Sequence, residues 1–183
     1  MISDYFPLKT GQLCIQPWPS AYLKQLYALL IDRQVSSLLG TDFGFFTLKK
    51  YQLPKRLSII VNEQTLALEP IWLILAIYSK KEQKIIGCCG LKKKNKKSVA
   101  ELFCCILPRY WRQGWANEAC QVLLKSDFSQ KKYQEIGAYI LPHNLAAQGL
   151  ASKIGLHYCQ KEEQKRSGKV LQLQYWKLDL NNA

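Results

Sequence analysis

The stretch RYWRQGWANEA, Arg109 to Ala119, sets two arginines, two tryptophans and one glycine between the apolar run LFCCILP and an amphipathic segment. A helix amino terminus exposes unpaired N–H groups and the positive end of the macrodipole. A turn that delivers such a terminus past small residues is therefore an anion site. Gly114 and Ala116 are the small residues of this turn. Successive amides from Arg112 to Ala116 can cradle a pyrophosphate, with the Arg109 and Arg112 guanidiniums beside it to offset its charge. The same pattern also makes an ordinary tight strand-to-helix turn, and the turn alone does not separate the two readings.

The other chemistry-bearing residues are less directive. The seven cysteines are Cys14, Cys88, Cys89, Cys104, Cys105, Cys120 and Cys159. Two adjacent pairs lie in strand-like runs, where neighbouring side chains point to opposite faces and cannot grip one metal ion. With no C-x-x-C they read as small buried hydrophobes in a reducing cytoplasm. His143 and His157 are the only histidines and are not spaced as a ligand pair on one helix face, so no metal site is expected. The formal charge of +13 is concentrated partly in LKKKNKK, Leu91 to Lys97. That run reads as a solvated hairpin turn or, alternatively, as a patch facing the ribosome or a nucleic acid. No aromatic residue is interleaved there to stack a base.

Periodicity supplies the elements that must position these residues. GQLCIQPW reads as a first strand, and PSAYLKQLYALLID as a helix with Leu23, Leu26, Tyr27 and Leu30 on one face behind a Ser20 cap. Arg33 to Tyr51 holds a short helical piece and then the aromatic loop GTDFGFF. Pro54 stands where a helix begins, and KRLSIIVNEQTLAL continues it. Three strands, Ile71 to Ser79, Ile85 to Lys92 and Ala100 to Leu107, follow as an antiparallel meander. After the opening turn comes a helix with Ala116, Ala119, Cys120 and Leu123 on one face. Then QEIGAYIL is a strand, NLAAQGLASKI a helix ended by Gly155, and LHYCQKEE with KVLQLQYWKLDL a hairpin across KRSG. With 183 residues, 48% of them hydrophobic, the chain is long enough for one cored domain over residues 1–183. It opens on no secretory leader, and its longest apolar run, PIWLILAIY, is too short to span a bilayer. A soluble, unexported, cytoplasmic protein with no membrane partner is expected.

Trp111, Arg112, Gln113, Gly114, Trp115 and Ala116 resemble the acetyl-CoA signature of the GNAT acetyltransferase superfamily: Gln or Arg, two residues, Gly, one residue, then Gly or Ala. Tryptophan in the first position departs from that pattern but is similar to the form found in the ribosomal-protein N-terminal acetyltransferase branch. The later AYILPHNLAAQGLASKIGL, Ala138 to Leu156, resembles a second motif of the same branch. The resemblance implies an α/β fold whose mixed, mainly antiparallel sheet of about seven strands splays between its fourth and fifth strands and is flanked by about four helices. It implies that the amides of Arg112, Gln113, Gly114, Trp115 and Ala116, with Arg109 nearby, hold the pyrophosphate of acetyl-CoA. Backbone groups of Cys105, Ile106 and Leu107 would pair with the pantetheine arm, and Asn144 would hydrogen-bond it. Asn144 is equally placed to cap the following helix, and the two roles are compatible.

For the chemistry, departures from the resemblance matter most. Ala147 stands where the branch has Ser, and Ala151 where other members have Tyr, so neither familiar general acid is present. Cys105 and Tyr139 are the side chains near the expected cleft. Glu101, on the strand entering the turn, is the candidate base, directly or through water, and Glu118 in the first turn of the helix reads as structural. General acid catalysis contributes about 10²–10⁴-fold, and a thiolate whose acid has a pKa near ~8.5 can leave unaided, so acetyl transfer is reduced without being excluded. An α-amine of pKa ~7.7–8.0 is neutral in roughly a tenth to a third of molecules near neutrality, against well under ~0.1% for lysine at ~10.4. A site without a strong base suits the α-amine. A chain at +13 is expected to repel polyamines and aminoglycosides unless its cleft is locally acidic. The expectation is therefore an acetyl-CoA-dependent N-acetyltransferase acting directly on a primary amine, a protein amino terminus. The alternative is a non-catalytic CoA-binding module associated with ribosomes or nucleic acid through its basic surface.

Overall fold

The computed structural model describes residues 2–39, 52–67, 70–94, 98–166 and 169–180. The expected loop GTDFGFF and residues 95–97 of the lysine run lie outside them. The apolar runs of the sequence have no polar alternate, and a strand of that kind needs cover on both faces. β3 (Trp72–Ser79), β4 (Lys84–Lys93) and β5 (Val99–Ile106) receive it. Leu73, Leu75, Ile77, Cys89, Leu102 and Ile106 enter one core, while Ile74, Ala76, Cys88, Phe103 and Cys105 enter another on the opposite face. α4 (Trp115–Leu124) and α6 (Leu145–Lys153) cover the first core; α1 (Leu23–Ile31) and α3 (Leu53–Leu66) cover the second.

The sheet has eight strands in the order β1-β2-β3-β4-β5-β6-β8-β7, where β1 is Leu8–Lys9, β2 Leu13–Pro17, β6 Glu135–Ile140, β7 His157–Arg166 and β8 Lys169–Asp179. Every neighbouring pair is antiparallel except β5 with β6. The expected meander and terminal hairpin are both present. The two-residue β1, which pairs antiparallel with β2, raises the count by one, so the parting of the sheet falls between the fifth and sixth strands.

There are six α-helices among the described residues, where about four were expected. α2 (Arg33–Leu38) is started by the Asp32 carboxylate, which accepts from the Gln34 and Val35 amides at 2.9 and 3.1 Å. α5 (Asp127–Lys132) is capped by Ser126, and its Phe128 is buried against Tyr5, Phe6 and Tyr133. Ser20 is not the cap of α1: it opens a 3-10 turn, Ser20–Tyr22, and α1 starts at Leu23 with no side-chain cap. Pro54 does stand in the first turn of α3. No helix among the described residues is long and apolar enough to cross a membrane.

Candidate active site

The parting of the sheet creates the site. β5 and β6 are paired only at Val99 with Glu135, Ala100 with Ile136 and Glu101 with Gly137. Beyond that point β5 stays with β4 as far as Ile106, and β6 stays with β8 as far as Ile140. The opening holds a cavity of about 110 Å³ whose wall includes Trp72, Glu101, Cys104, Tyr139, Asn144 and Ala147. Hydrogen bonding along an antiparallel strand alternates from one side to the other. The Leu107 N–H donates to the Ile86 carbonyl at 2.9 Å, so Leu107 and, two residues back, Cys105 turn their backbones to β4. Cys104 and Ile106 turn theirs into the opening. Of the three residues expected to pair with a pantetheine arm, Ile106 faces the gap, whereas Cys105 and Leu107 are engaged by β4.

Immediately beyond Ile106 the chain makes the turn of the opening motif. Arg112 and Gly114 adopt positive φ of 59° and 85°, and α4 begins at Trp115 with no side-chain cap. Its first helical hydrogen bond runs from the Glu118 N–H to the Gly114 carbonyl at 3.1 Å, which leaves the Trp115, Ala116 and Asn117 amides without a partner inside the helix. The other residues of the motif lock this geometry. The Trp111 indole donates to the Ile106 carbonyl at 2.6 Å, the Gln113 amide donates to the Arg109 carbonyl at 3.2 Å, and the Trp115 indole donates to Gln113 Oε1 at 3.1 Å. Trp115 is buried against the sheet, while Arg109, Arg112, Gln113 and Gly114 are exposed. A Cβ at Gly114 would meet nothing within 4 Å, so the approach to the helix end is open. Glu118 is turned away from that approach, since it accepts a hydrogen bond from the Thr10 hydroxyl. An uncapped helix end with two exposed arginines suits a pyrophosphate, and a β-edge facing a gap suits an amide-bearing arm.

On the face of the sheet covered by α1 and α3, the opening is lined by Glu101, Phe103 and Tyr139. The Glu101 side chain is 14% exposed and bridged to Lys94 Nζ at 3.1 Å, and the same ammonium lies 4.8 Å over the Tyr139 ring. Burial, followed by the nearby charges of Glu162 and Glu101, pushes the Tyr139 phenol up to about 12. Tyr175, stacked 4.9 Å from Tyr139, donates to Glu135 at 2.6 Å; burial and that bond raise its phenol too. Glu101 and Tyr139, expected from sequence as candidate base and cleft tyrosine, thus share one cavity.

Asn144 caps α6: its Oδ1 accepts from the Ala147 N–H at 3.0 Å, and its Nδ2 donates to the Leu38 carbonyl at 2.9 Å. It also borders the cavity. The Cys105 side chain is only 4% exposed and lies in the α1–α3 core; a hydrogen bond with Cys88 and burial push its thiol well up. It is not a cleft thiol. Cys104 borders the cavity instead, because strand alternation turns the two adjacent cysteines to opposite faces. Ala147 and Ala151 border the cavity, His143 and His157 are exposed, and among the described residues no group of three or more His, Cys, Asp or Glu side chains is arranged to hold a metal ion.

Known proteins share the family and the fold. Among curated sequences, an uncharacterised Bacillus subtilis (strain 168) protein, YkkB, is 31% identical over 81 residues; the match covers 43% of this chain and about half, 47%, of that relative. Solved structures share the fold, among them the following three. A GNAT-family acetyltransferase from Bacillus anthracis superposes with a TM-score of 0.75 at 18% identity, covering 95% of this chain and 98% of that one. A ribosomal-protein-S5-alanine acetyltransferase from Vibrio fischeri gives 0.72 at 13%, covering 95% and 96%. A spermidine N-acetyltransferase from Vibrio cholerae, in complex with CoA and spermine, gives 0.72 at 15%, covering 94% and 98%. The profile of the family described as "Acetyltransferase (GNAT) domain" matches residues 12–157, most of the chain, and the protein belongs to the GNAT acetyltransferase family.

Proposed function

We propose that the protein is an acetyl-CoA-dependent N-acetyltransferase of the cytoplasm that moves the acetyl group directly to a primary amine, the α-amine of a protein amino terminus. The observation that carries this is a coincidence in space: the gap-facing backbone of Cys104 and Ile106 ends at the open amino terminus of α4. On this reading the amides of Arg112 to Ala116 hold the pyrophosphate with Arg109 and Arg112 beside it, and Ile106 and Cys104 pair with the arm. Bound acetyl-CoA supplies the thioester. Glu101 then accepts the amine proton, directly or through water, as the amine displaces Lys94 from it. Tyr139, whose phenol is pushed up to about 12 by burial, stays protonated and is placed to hydrogen-bond the departing thiolate. Holding amine and thioester in register supplies most of the remaining rate.

One observation favours a second reading, a CoA-binding module without turnover. The cavity wall carries only methyl groups at Ala147 and Ala151. The basic surface of a chain at +13 would then serve association with ribosomes or nucleic acid.

Acetyl-CoA and CoA are expected to raise the melting temperature by several degrees at concentrations well above Kd. Thiol release with a panel of amino-terminal peptides is expected to follow, with no acetyl adduct accumulating on Cys104 by intact mass when acceptor is withheld. No melting shift overturns the cofactor site. A shift without thiol release selects the module.

A further inference from the structure

The lysine run divides in the fold. β4 extends through Lys93, so the residues read as a solvated turn are partly strand. Trp72, Lys92 and Glu101 are register partners across β3, β4 and β5, and their side chains leave one face of the sheet as a row. The row continues at Gly137 on β6, where the Tyr175 ring fills the space that a Cβ would occupy. All three side chains border the cavity, with the Lys92 ammonium 4.7 Å over the Trp72 ring.

The charges around this row do not balance. Glu101 is bridged to Lys94. Glu135 receives Lys177 at 3.4 Å and the Tyr175 hydroxyl at 2.6 Å. Glu162 accepts from Gln160 and Gln164 at 3.0 and 3.4 Å. Among the described residues no carboxylate forms an ion pair with Lys92 and no acceptor takes its hydrogen bond; its ammonium rests on the indole face, with Glu101 attracting it from the neighbouring strand. Burial pulls its ammonium below the ordinary lysine range, opposed by the pull of Glu101. A half-buried cation of this kind gains from an anion brought in with the substrate. Directly opposed residues on antiparallel strands are about 5 Å apart at Cα. A ligand spanning Glu101 and Lys92 therefore has its amine and its anion only a few bonds apart.

We propose that Lys92 is the recognition cation of the acceptor pocket and that the acceptor is a primary amine carrying a carboxylate a few bonds away. An amino terminus followed by Asp or Glu has that chemistry, and so does a free amino acid. The inference rests on the acetyltransferase reading above and narrows its substrate class. A polyamine lacks the anion and presents further ammonium groups to Lys92 and Lys94.

The test compares kcat/KM for carboxy-amidated peptides identical except for Glu, Gln or Lys at the second residue, with free glutamate and spermidine as further arms, in the unaltered protein, Lys92→Met and Lys92→Arg. The Glu peptide is expected to exceed the Gln peptide by roughly 10–100-fold, mainly through KM, the range of one charge-assisted hydrogen bond. Lys92→Met is expected to reduce that ratio to within about threefold of unity, and Lys92→Arg to preserve most of it. A preference for free glutamate over the Glu peptide assigns the chemistry to a small acceptor and supports the role of Lys92. Equal use of the Glu and Gln peptides, a preference for Lys or spermidine, or a ratio that survives Lys92→Met overturns the inference. If no acceptor turns over, calorimetric binding of the Glu and Gln peptides to the protein in saturating CoA decides: equal binding overturns it, and preferential binding of the Glu peptide that Lys92→Met abolishes sustains it. The melting shift of the unaltered protein with acetyl-CoA, which reads the pyrophosphate site at the start of α4, reports separately on the acetyltransferase reading.

Discussion

Ala147 presents a methyl group to the cleft while its own amide is held by the Asn144 cap, so its position on the wall is set by the helix start and not by its side chain. A hydroxyl placed there gains a proton to donate without disturbing the cap. Ala147→Ser is expected to raise turnover by roughly 3–30-fold, below the usual range for a tuned acid, because serine is a weak acid and thiolate departure is already tolerable. The melting shift with acetyl-CoA should stay within a degree or so. Unchanged turnover with cofactor binding intact would mean that the product is protonated by another route, such as water or Tyr139, which borders the same cavity. Pushed up to about 12, its phenol stays protonated throughout the working pH range and donates a hydrogen bond more readily than a proton, being a weaker acid than the thiol.

At the scale of the element, α4 is the part whose local geometry matters most. Gly114 sits at the helix start with a φ of 85° and open space around it. A side chain there meets backbone strain and no collision. Gly114→Ala is expected to cost about 1 kcal/mol in chemical denaturation, the penalty for an L-residue in the left-handed region, and to keep its response to acetyl-CoA. Gly114→Glu carries the same strain plus a carboxylate where the pyrophosphate belongs. It should stay folded and lose the melting shift altogether. A full response in Gly114→Glu would remove the anion site from α4. The alanine variant separates charge from strain, which the glutamate variant alone cannot do.

For the molecule as a whole, the excess of positive charge acts at a distance. CoA is a polyanion, and a chain at +13 with Arg109 and Arg112 exposed beside α4 attracts it through a field that salt screens over about 8 Å at physiological strength. The apparent Kd for acetyl-CoA is expected to weaken by roughly 3–10-fold between about 20 and about 200 mM salt, and Arg112→Gln should flatten that dependence. A Kd indifferent to salt would show that the positive surface belongs to another partner. The lysine run shows how a whole-molecule charge can mislead locally. Lys94 neutralises Glu101, and Lys92 is sheltered against Trp72.

Read alone, the sequence determined those features whose causes lie within a few residues. Gly114 starts α4 because a glycine supplies a positive φ, Asn144 caps α6 because its side chain reaches an amide three residues on, and Gly155 ends that helix at a φ of 91° for the same reason as the first. The meander was legible because apolar runs broken by polar turns are a local signal. α5 was not, since six residues carry too little periodicity; Phe128 holds it in place through contacts with Tyr5, Phe6 and Tyr133. Nor could β1 be read from two residues that form a strand only by pairing with β2. Strand alternation says that Cys104 and Cys105 face opposite ways, but which one meets the cleft depends on where β5 parts from β6, a matter of packing between distant segments. The same holds for Lys92. Its chemistry is visible as a letter in a basic run, while its place opposite Glu101 and over Trp72 exists only once three strands separated along the chain have settled into register.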